Sequence, residues 1–267
     1  MKHLEFDKIH VDIDGEFATM TINDPDKLNA LTWNMFMGIN DAFHELQSGK
    51  HHIRALFLKG EGRAFCAGLN LGDRDSLSAM KPSTNIMDTH VIPLMRRFKD
   101  AKFPTICAVN GPCAGIGVTI ALMCDFAIAG KSAYFYLPFV KGLGSVGDAG
   151  ISWILPRIIG WARARHMLMY GDKIDAQKAL DWGILYDVAE DDELHAKTET
   201  LARDLATRAT VAVATTRAFV WEGLENSYER QLQVEQVLNV GVTHQTEDYQ
   251  NAKKARVEGR KPEWRGR

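Results

Sequence analysis

Two short loops hold the residues best suited to chemistry. Arg63-Ala64-Phe65-Cys66-Ala67-Gly68-Leu69-Asn70 follows a strand-like run, and Asn110-Gly111-Pro112-Cys113-Ala114-Gly115-Ile116-Gly117 joins another such run to an apolar helix. Small residues let backbone N–H groups face a ligand, and the second loop adds the positive end of a helix. Together the loops have the makings of an oxyanion hole, in which two N–H groups stabilise charge developing on a carbonyl oxygen. The plainer reading of either loop alone is a glycine turn. A carboxylate lies further on, Asp148 in Val146-Gly147-Asp148-Ala149-Gly150-Ile151-Ser152-Trp153. Apolar neighbours Val146, Ile151 and Trp153 would raise its pKa toward a useful acid/base range; alternatively, Asp148 caps a helix starting near Ala149.

Other motifs fail on their surroundings. Gly142-Leu143-Gly144-Ser145-Val146-Gly147 spells a dinucleotide fingerprint, but Gly160-Trp161-Ala162-Arg163 continues a helix where the second strand and its acidic residue belong. Gly130-Lys131-Ser132 mimics the end of a phosphate loop, with Asp125 in the place of its first glycine. Leu143 likewise spoils a hydrolase nucleophile elbow around Ser145. The nine histidines form no H-E-x-x-H, so no metal site is expected.

Hydrophobic periodicity supplies the scaffold for the two loops. Alternation and turn residues predict strands at Phe17–Ile22, 53–59, Thr105–Val109, 126–129 and Tyr134–Tyr136. Helices are predicted from a cap at Thr32 to Gly49, over 85–98 and over 115–124. Beyond residue 150 helical patterns dominate, at 151–170, 176–182, 192–207, 211–224 and 227–240, with only 184–188 extended. An α/β core over 1–200 with a helical extension over 201–267 is expected, and no Pro-, Gly- or Ser-rich linker separates them.

Composition narrows the partners. The chain has 267 residues, 46% hydrophobic and 25% charged, which excludes disorder and fibre. With 32 Lys plus Arg against 34 Asp plus Glu, the net charge of -2 offers no field to gather nucleic acid or an acidic membrane, so a small ligand or protein partner is expected. Cys66, Cys107, Cys113 and Cys124 have no C-x-x-C spacing, and residues 1–7 lack an uninterrupted apolar stretch; both fit a protein of the reducing cytoplasm. The apolar region 105–130 is interrupted by Asn110-Gly111-Pro112 and closed by Asp125, so a membrane span is not expected.

The two loops, in this order and at this separation, resemble the signature segments of the crotonase (enoyl-CoA hydratase/isomerase) superfamily. Leu28-Asn29-Ala30-Leu31, Leu155-Pro156-Arg157, the segment 171–183 and Arg260-Lys261-Pro262-Glu263-Trp264 extend the resemblance over nearly the whole chain. It implies the crotonase (ClpP-like) α/β fold, a spiral of repeated ββα units with a helical C-terminal trimerisation region. It also implies homotrimers or dimers of trimers, and an acyl-CoA thioester as substrate with no further cofactor. By the same resemblance the N–H groups that hold the thioester oxygen belong to Leu69 and Ile116. CoA would lie against Lys27, Leu28 and Ala67, with Trp264 nearby in a tail whose cations suit phosphates or, equally, a solvated end. The acyl group would meet Met87, His90, Thr119, Tyr136 and Phe139, together with the loop 72–85. His90 is otherwise a helix-surface residue.

The resemblance breaks where hydration chemistry would sit. The family's hydratases hold and activate water with two glutamates, and the aligned positions here are Thr119 and Phe139. Asp148 instead matches the aspartate that family isomerases use as acid/base. Moving a double bond toward a thioester needs one such group plus an oxyanion hole. An enoyl-CoA isomerase using Asp148 is therefore the leading expectation. Rivals are an enoyl-CoA hydratase, a diverged member that hydrolyses, decarboxylates or dehalogenates its substrate, and a catalytically inert acyl-CoA-binding subunit.

Overall fold

The computed structural model describes residues 1–72 and 87–267. Strands β1 (Lys2–Phe6), β2 (Ile9–Asp14), β3 (Phe17–Ile22), β4 (Ala55–Gly60), β5 (Thr105–Val109), β6 (Pro112–Ala114), β7 (Phe126–Gly130), β8 (Tyr134–Tyr136), β9 (Ile174–Asp175) and β10 (Asp187–Ala189) form two sheets. The larger is 7-stranded in the order β1-β2-β3-β4-β5-β7-β10, and the smaller runs β6-β8-β9. Pairing is antiparallel from β1 to β3 and parallel from β3 through β10. The polar β1 and the alternating β2, whose Ile9, Val11 and Ile13 are buried, add to the strands that periodicity predicts.

Helices cover both faces of the parallel strands, which is why Thr105–Val109 is buried at every position rather than at alternate ones. Leu56, Leu58, Cys107 and Val109 join the main core, while Phe57, Ile106, Ala108 and Ile128 meet Leu194 and Ala202 on the opposite face. The helices are α1 (Trp33–Gln47), α2 (Ile92–Lys99), α3 (Ile116–Met123), α4 (Phe139–Leu143), α5 (Ile151–Ile159), α6 (Trp161–Tyr170), α7 (Ala176–Asp181), α8 (Leu194–Ala206), α9 (Thr210–Gly223), α10 (Tyr228–Gly241) and α11 (Glu247–Glu258). The Thr32 hydroxyl accepts the Met35 N–H at 3.2 Å and caps α1, as its sequence predicts.

Three boundaries move. The helix expected over 151–170 is two helices, because Gly160 takes φ 79° and ψ 162° between α5 and α6. The division expected at residue 200 falls inside α8, whose Leu194 and Ala202 pack on the sheet. Of the helix expected over 85–98, only α2 is α-helical; Met87–Val91 is a π-helical turn, and 85–86, with 73–85 of the expected acyl loop 72–85, lie outside the described residues.

A buried arginine helps fasten the C-terminal helices to the core. Arg217 on α9 is buried, and its Nε donates to both carboxylate oxygens of Asp125 at 2.6 and 2.7 Å. Its Nη1 donates to the Lys99 and Ala101 carbonyls at 2.7 and 3.2 Å, and its Nη2 to the Phe98 carbonyl. The guanidinium thus ties the end of α2 to the start of β7, with every bond charge-assisted.

Candidate active site

Both signature loops emerge from the C-terminal ends of the parallel strands β4 and β5, the edge where open α/β sheets place their ligands. Isolated bridges hold them in register, Leu31 to Leu69 and Cys66 to Cys113. The side chain of Asn29, fully buried, supplies a second fastening. Its Oδ1 accepts the Asp24 N–H at 2.8 Å, and its Nδ2 donates to the carbonyls of Glu61 at 2.9 Å and Ala64 at 2.7 Å. Asn110 reaches the same loop, donating to Gly62 at 2.7 Å and Ala64 at 3.3 Å. Gly111, at φ 151°, lies so close that a Cβ there would collide with the Arg63 carbonyl oxygen.

These fastenings consume some N–H groups and leave others open. Ala67 donates to Leu28 at 3.0 Å, Asn70 to Leu31 at 2.9 Å and Gly115 to Tyr136 at 2.9 Å. Among the described residues neither the Leu69 nor the Ile116 N–H has a backbone acceptor, and both residues line one cavity of about 200 Å³. Ile116 is the first residue of α3, so its N–H carries the helix's positive end. The pair expected to cradle a thioester oxygen therefore faces a common space.

Asp148 is the one carboxylate among the described residues of that cavity; Ser145 also lines it, and Phe139, Leu143 and Val146 add apolar surface. Helix α5 begins at Ile151 with Gly150 as its N-cap and no side-chain cap bond. Only the Asp148 carbonyl engages the helix, accepting the Ile151 N–H at 3.0 Å, so the capping alternative does not describe its carboxyl. Ala149 and Gly150 follow in left-handed conformation, φ 53° and 81°, a turn that is costly for alanine and that sets the aspartate at the cavity wall. Partial desolvation raises the Asp148 carboxyl above its ordinary value, although the residue as a whole is exposed. Of the three apolar neighbours expected to cause this, Ile151 is buried, Trp153 half-buried, and Val146 is 78% exposed.

The remaining expected contacts divide. Met87, Phe139 and Ala67 line the cavity, whereas His90, Thr119 and Tyr136 do not. His90 is buried beneath it, its ring edge-on to Trp33 at 6.1 Å and its Nδ1 2.6 Å from the Thr89 hydroxyl. Thr119 is buried within α3, and Tyr136 serves through its carbonyl. Leu28 borders Ala67 through the backbone, and Lys27 is exposed beside it. Trp264 stands apart from them in its own chain. It lines a groove of about 550 Å³ with Pro104 and Phe126, at the other end of β5 and β7. The glycine-rich segment that resembles a dinucleotide fingerprint proves to be a wall of the cavity through Leu143, Ser145 and Val146.

Cysteine chemistry is disfavoured, since burial pushes the Cys66 thiol up to about 12 and raises Cys113 and Cys124 as well. His3, Glu5 and His10, far apart in sequence logic, meet across the β1–β2 pairing, where Glu5 stands opposite His10. Their polar atoms engage neighbours: His3 lies 2.7 Å from Asp12 and 3.1 Å from Glu5, and His10 lies 3.1 Å from Asn23.

Comparison with known proteins agrees with this geometry. The family model for enoyl-CoA hydratase/isomerase matches residues 12–267. The chain is 33% identical over 267 residues to "1,2-epoxyphenylacetyl-CoA isomerase" of Escherichia coli (strain K12), covering 99% of this chain and 100% of the relative. It is 32% identical over 264 residues to "Probable enoyl-CoA hydratase" of Rhodobacter capsulatus, covering 99% and 100%. Among solved structures, the enoyl-CoA hydratase from Bacillus anthracis superposes with a TM-score of 0.87 at 27% identity, covering 97% of this chain and 100% of that one.

Proposed function

The chain belongs to the enoyl-CoA hydratase/isomerase family, within the crotonase superfamily, and from that premise we propose that it is an enoyl-CoA isomerase with Asp148 as its acid/base. One observation carries the reading: among the described residues the cavity that holds both open N–H groups contains a single carboxylate. The thioester oxygen accepts from the Leu69 and Ile116 N–H groups. The Asp148 carboxylate removes a proton from the carbon between the thioester and the double bond of a 3-enoyl-CoA, and the electron pair delocalises onto the oxygen as a dienolate. The same carboxyl returns the proton at the far end of the former double bond, giving the conjugated 2-enoyl thioester. Atoms and electrons balance, so the reaction needs no cofactor beyond the CoA carried by its substrate.

Hydration asks for more than this cavity offers. One group must activate water while another delivers a proton to carbon, and Thr119 and Phe139 hold the positions where the family's hydratases have glutamates. The hydratase reading draws support from Ser145, a hydroxyl residue that lines the same cavity as Asp148. The experiment offers the purified chain a 3-enoyl-CoA and a trans-2-enoyl-CoA separately and follows the absorbance of the conjugated thioester. Conjugation gained from the first and abolished in Asp148→Asn supports the isomerase; conjugation lost only from the second establishes a hydratase. Four buried free cysteines suit a reducing compartment, and we place the protein in the cytoplasm. Among the described residues no helix is long and apolar enough to cross a membrane.

A further inference from the structure

Behind Asp148 the catalytic cavity meets a second one. Met87 lines both, and Asp148 in the first is followed directly by Ala149 in the second. This chamber, of about 480 Å³, lies between α2, α5 and α9. Its walls are Met95, Met123, Trp153, Ile154 and Trp221, and its charged members Arg96, Lys99 and Glu225 are exposed residues at the rim. Trp153 and Trp221 stack with centroids 5.7 Å apart, giving the chamber a flat aromatic side.

Size and a shared wall point to an occupant. Small-molecule sites usually hold about 300–1,000 Å³, and the catalytic cavity of about 200 Å³ falls short of that range unless the adjoining chamber is included. Ala67, Leu69, Ile116, Met87 and Asp148 line the catalytic cavity, and Met87 lines the chamber as well. This shared wall is where an acyl chain held at the Leu69 and Ile116 N–H groups can pass from one cavity to the other. Polarisable methionines and aromatic faces suit an apolar chain there, with the charged side chains confined to the rim.

We propose that this chamber receives the distal part of the acyl group, so that the preferred substrates are CoA thioesters of extended apolar acyl chains rather than short ones. The proposal rests on the acyl-CoA reading of the site, and the test separates the two. Calorimetric titration of the full chain with CoA, butyryl-CoA and decanoyl-CoA is expected to show decanoyl-CoA bound about tenfold or more tighter than butyryl-CoA, since each added methylene leaves water for an apolar wall. In turnover, kcat/KM is expected to be higher for 3-decenoyl-CoA than for 3-hexenoyl-CoA. Met95→Trp and Ile154→Trp, which fill the chamber from opposite walls, should collapse that ratio by about tenfold. Equal affinity for the two saturated thioesters, or a ratio unmoved in folded Met95→Trp, would overturn the chamber while leaving the acyl-CoA reading standing. Failure of every thioester to bind more tightly than CoA alone would overturn both.

Discussion

As the base proposed above, Asp148 would act only when ionised, yet partial desolvation favours its protonated form. That conflict gives two measurable consequences. The isomerase rate should rise with pH through a midpoint above the ordinary aspartate value, because the carboxylate form removes the proton. Asp148→Asn should lower kcat by about a hundredfold to ten-thousandfold and abolish that limb of the profile, while circular dichroism stays native. The stability consequence has the opposite sign. A carboxyl whose folded-state pKa is raised contributes most below its unfolded-state pKa and loses that contribution as pH rises through the folded value. At pH 7 the ionised Asp148 is thus a liability, and Asp148→Asn should raise Tm slightly there, with the gain vanishing in acid. A Tm that falls at pH 7 would mean the carboxylate stabilises the fold, contrary to its desolvation.

The elements around the site were legible in the sequence to the degree that their signals are local. Thr32 caps α1 and Thr105–Val109 is a strand because side-chain oxygens and apolar runs act over a few residues. Leu69 and Ile116 are named by the resemblance to the crotonase signature loops, and the structure brings both to the lining of one cavity. Asn29 and Arg217 could not be assigned their tasks, since their partners lie 35 and 92 residues away and no periodicity records such distances. His90, Thr119 and Tyr136 are absent from the lining of the cavity for a related reason: sequence proximity to a site does not fix which way a side chain points. Both distant fastenings can be tested. Asn29→Leu removes three hydrogen bonds, those to the Glu61 and Ala64 carbonyls and that from the Asp24 N–H, and should cost roughly 1–3 kcal/mol in urea titrations. It should also lower kcat more than it raises KM, because it unsettles the Leu69 donor. Arg217→Met leaves Asp125 with only the Thr105 N–H and hydroxyl as partners and should cost about 3–5 kcal/mol. Pairing it with Asp125→Leu should recover part of that loss, since two apolar residues bury no orphaned charge; a double variant no better than the single would remove the ion pair from the explanation.

At the scale of the whole molecule the C-terminal helices present a problem that a single chain leaves unsolved. On α10 only Val234 is buried, while Tyr228, Leu232, Val237 and Val240 are 74%, 47%, 67% and 52% exposed, and Val220 on the adjacent α9 is 57% exposed. A helix with apolar residues on several sides and little of its own core is stable when another surface covers it, and monomers rarely leave so much apolar area in water. A closed homotrimer, the assembly implied by the sequence resemblance, would supply that cover. It would also account for Trp264, which the resemblance puts near CoA but which lines a groove at the opposite end of the sheet from Ala67 in its own chain. Light scattering should therefore give three times the 29.9 kDa chain mass, or six. Leu232→Glu combined with Val237→Glu should drop it to the mass of one chain, because paired carboxylates cannot be buried without partners. A monomeric native chain would remove the reason for the exposed face, and an intact oligomer in the double variant would place the interface elsewhere.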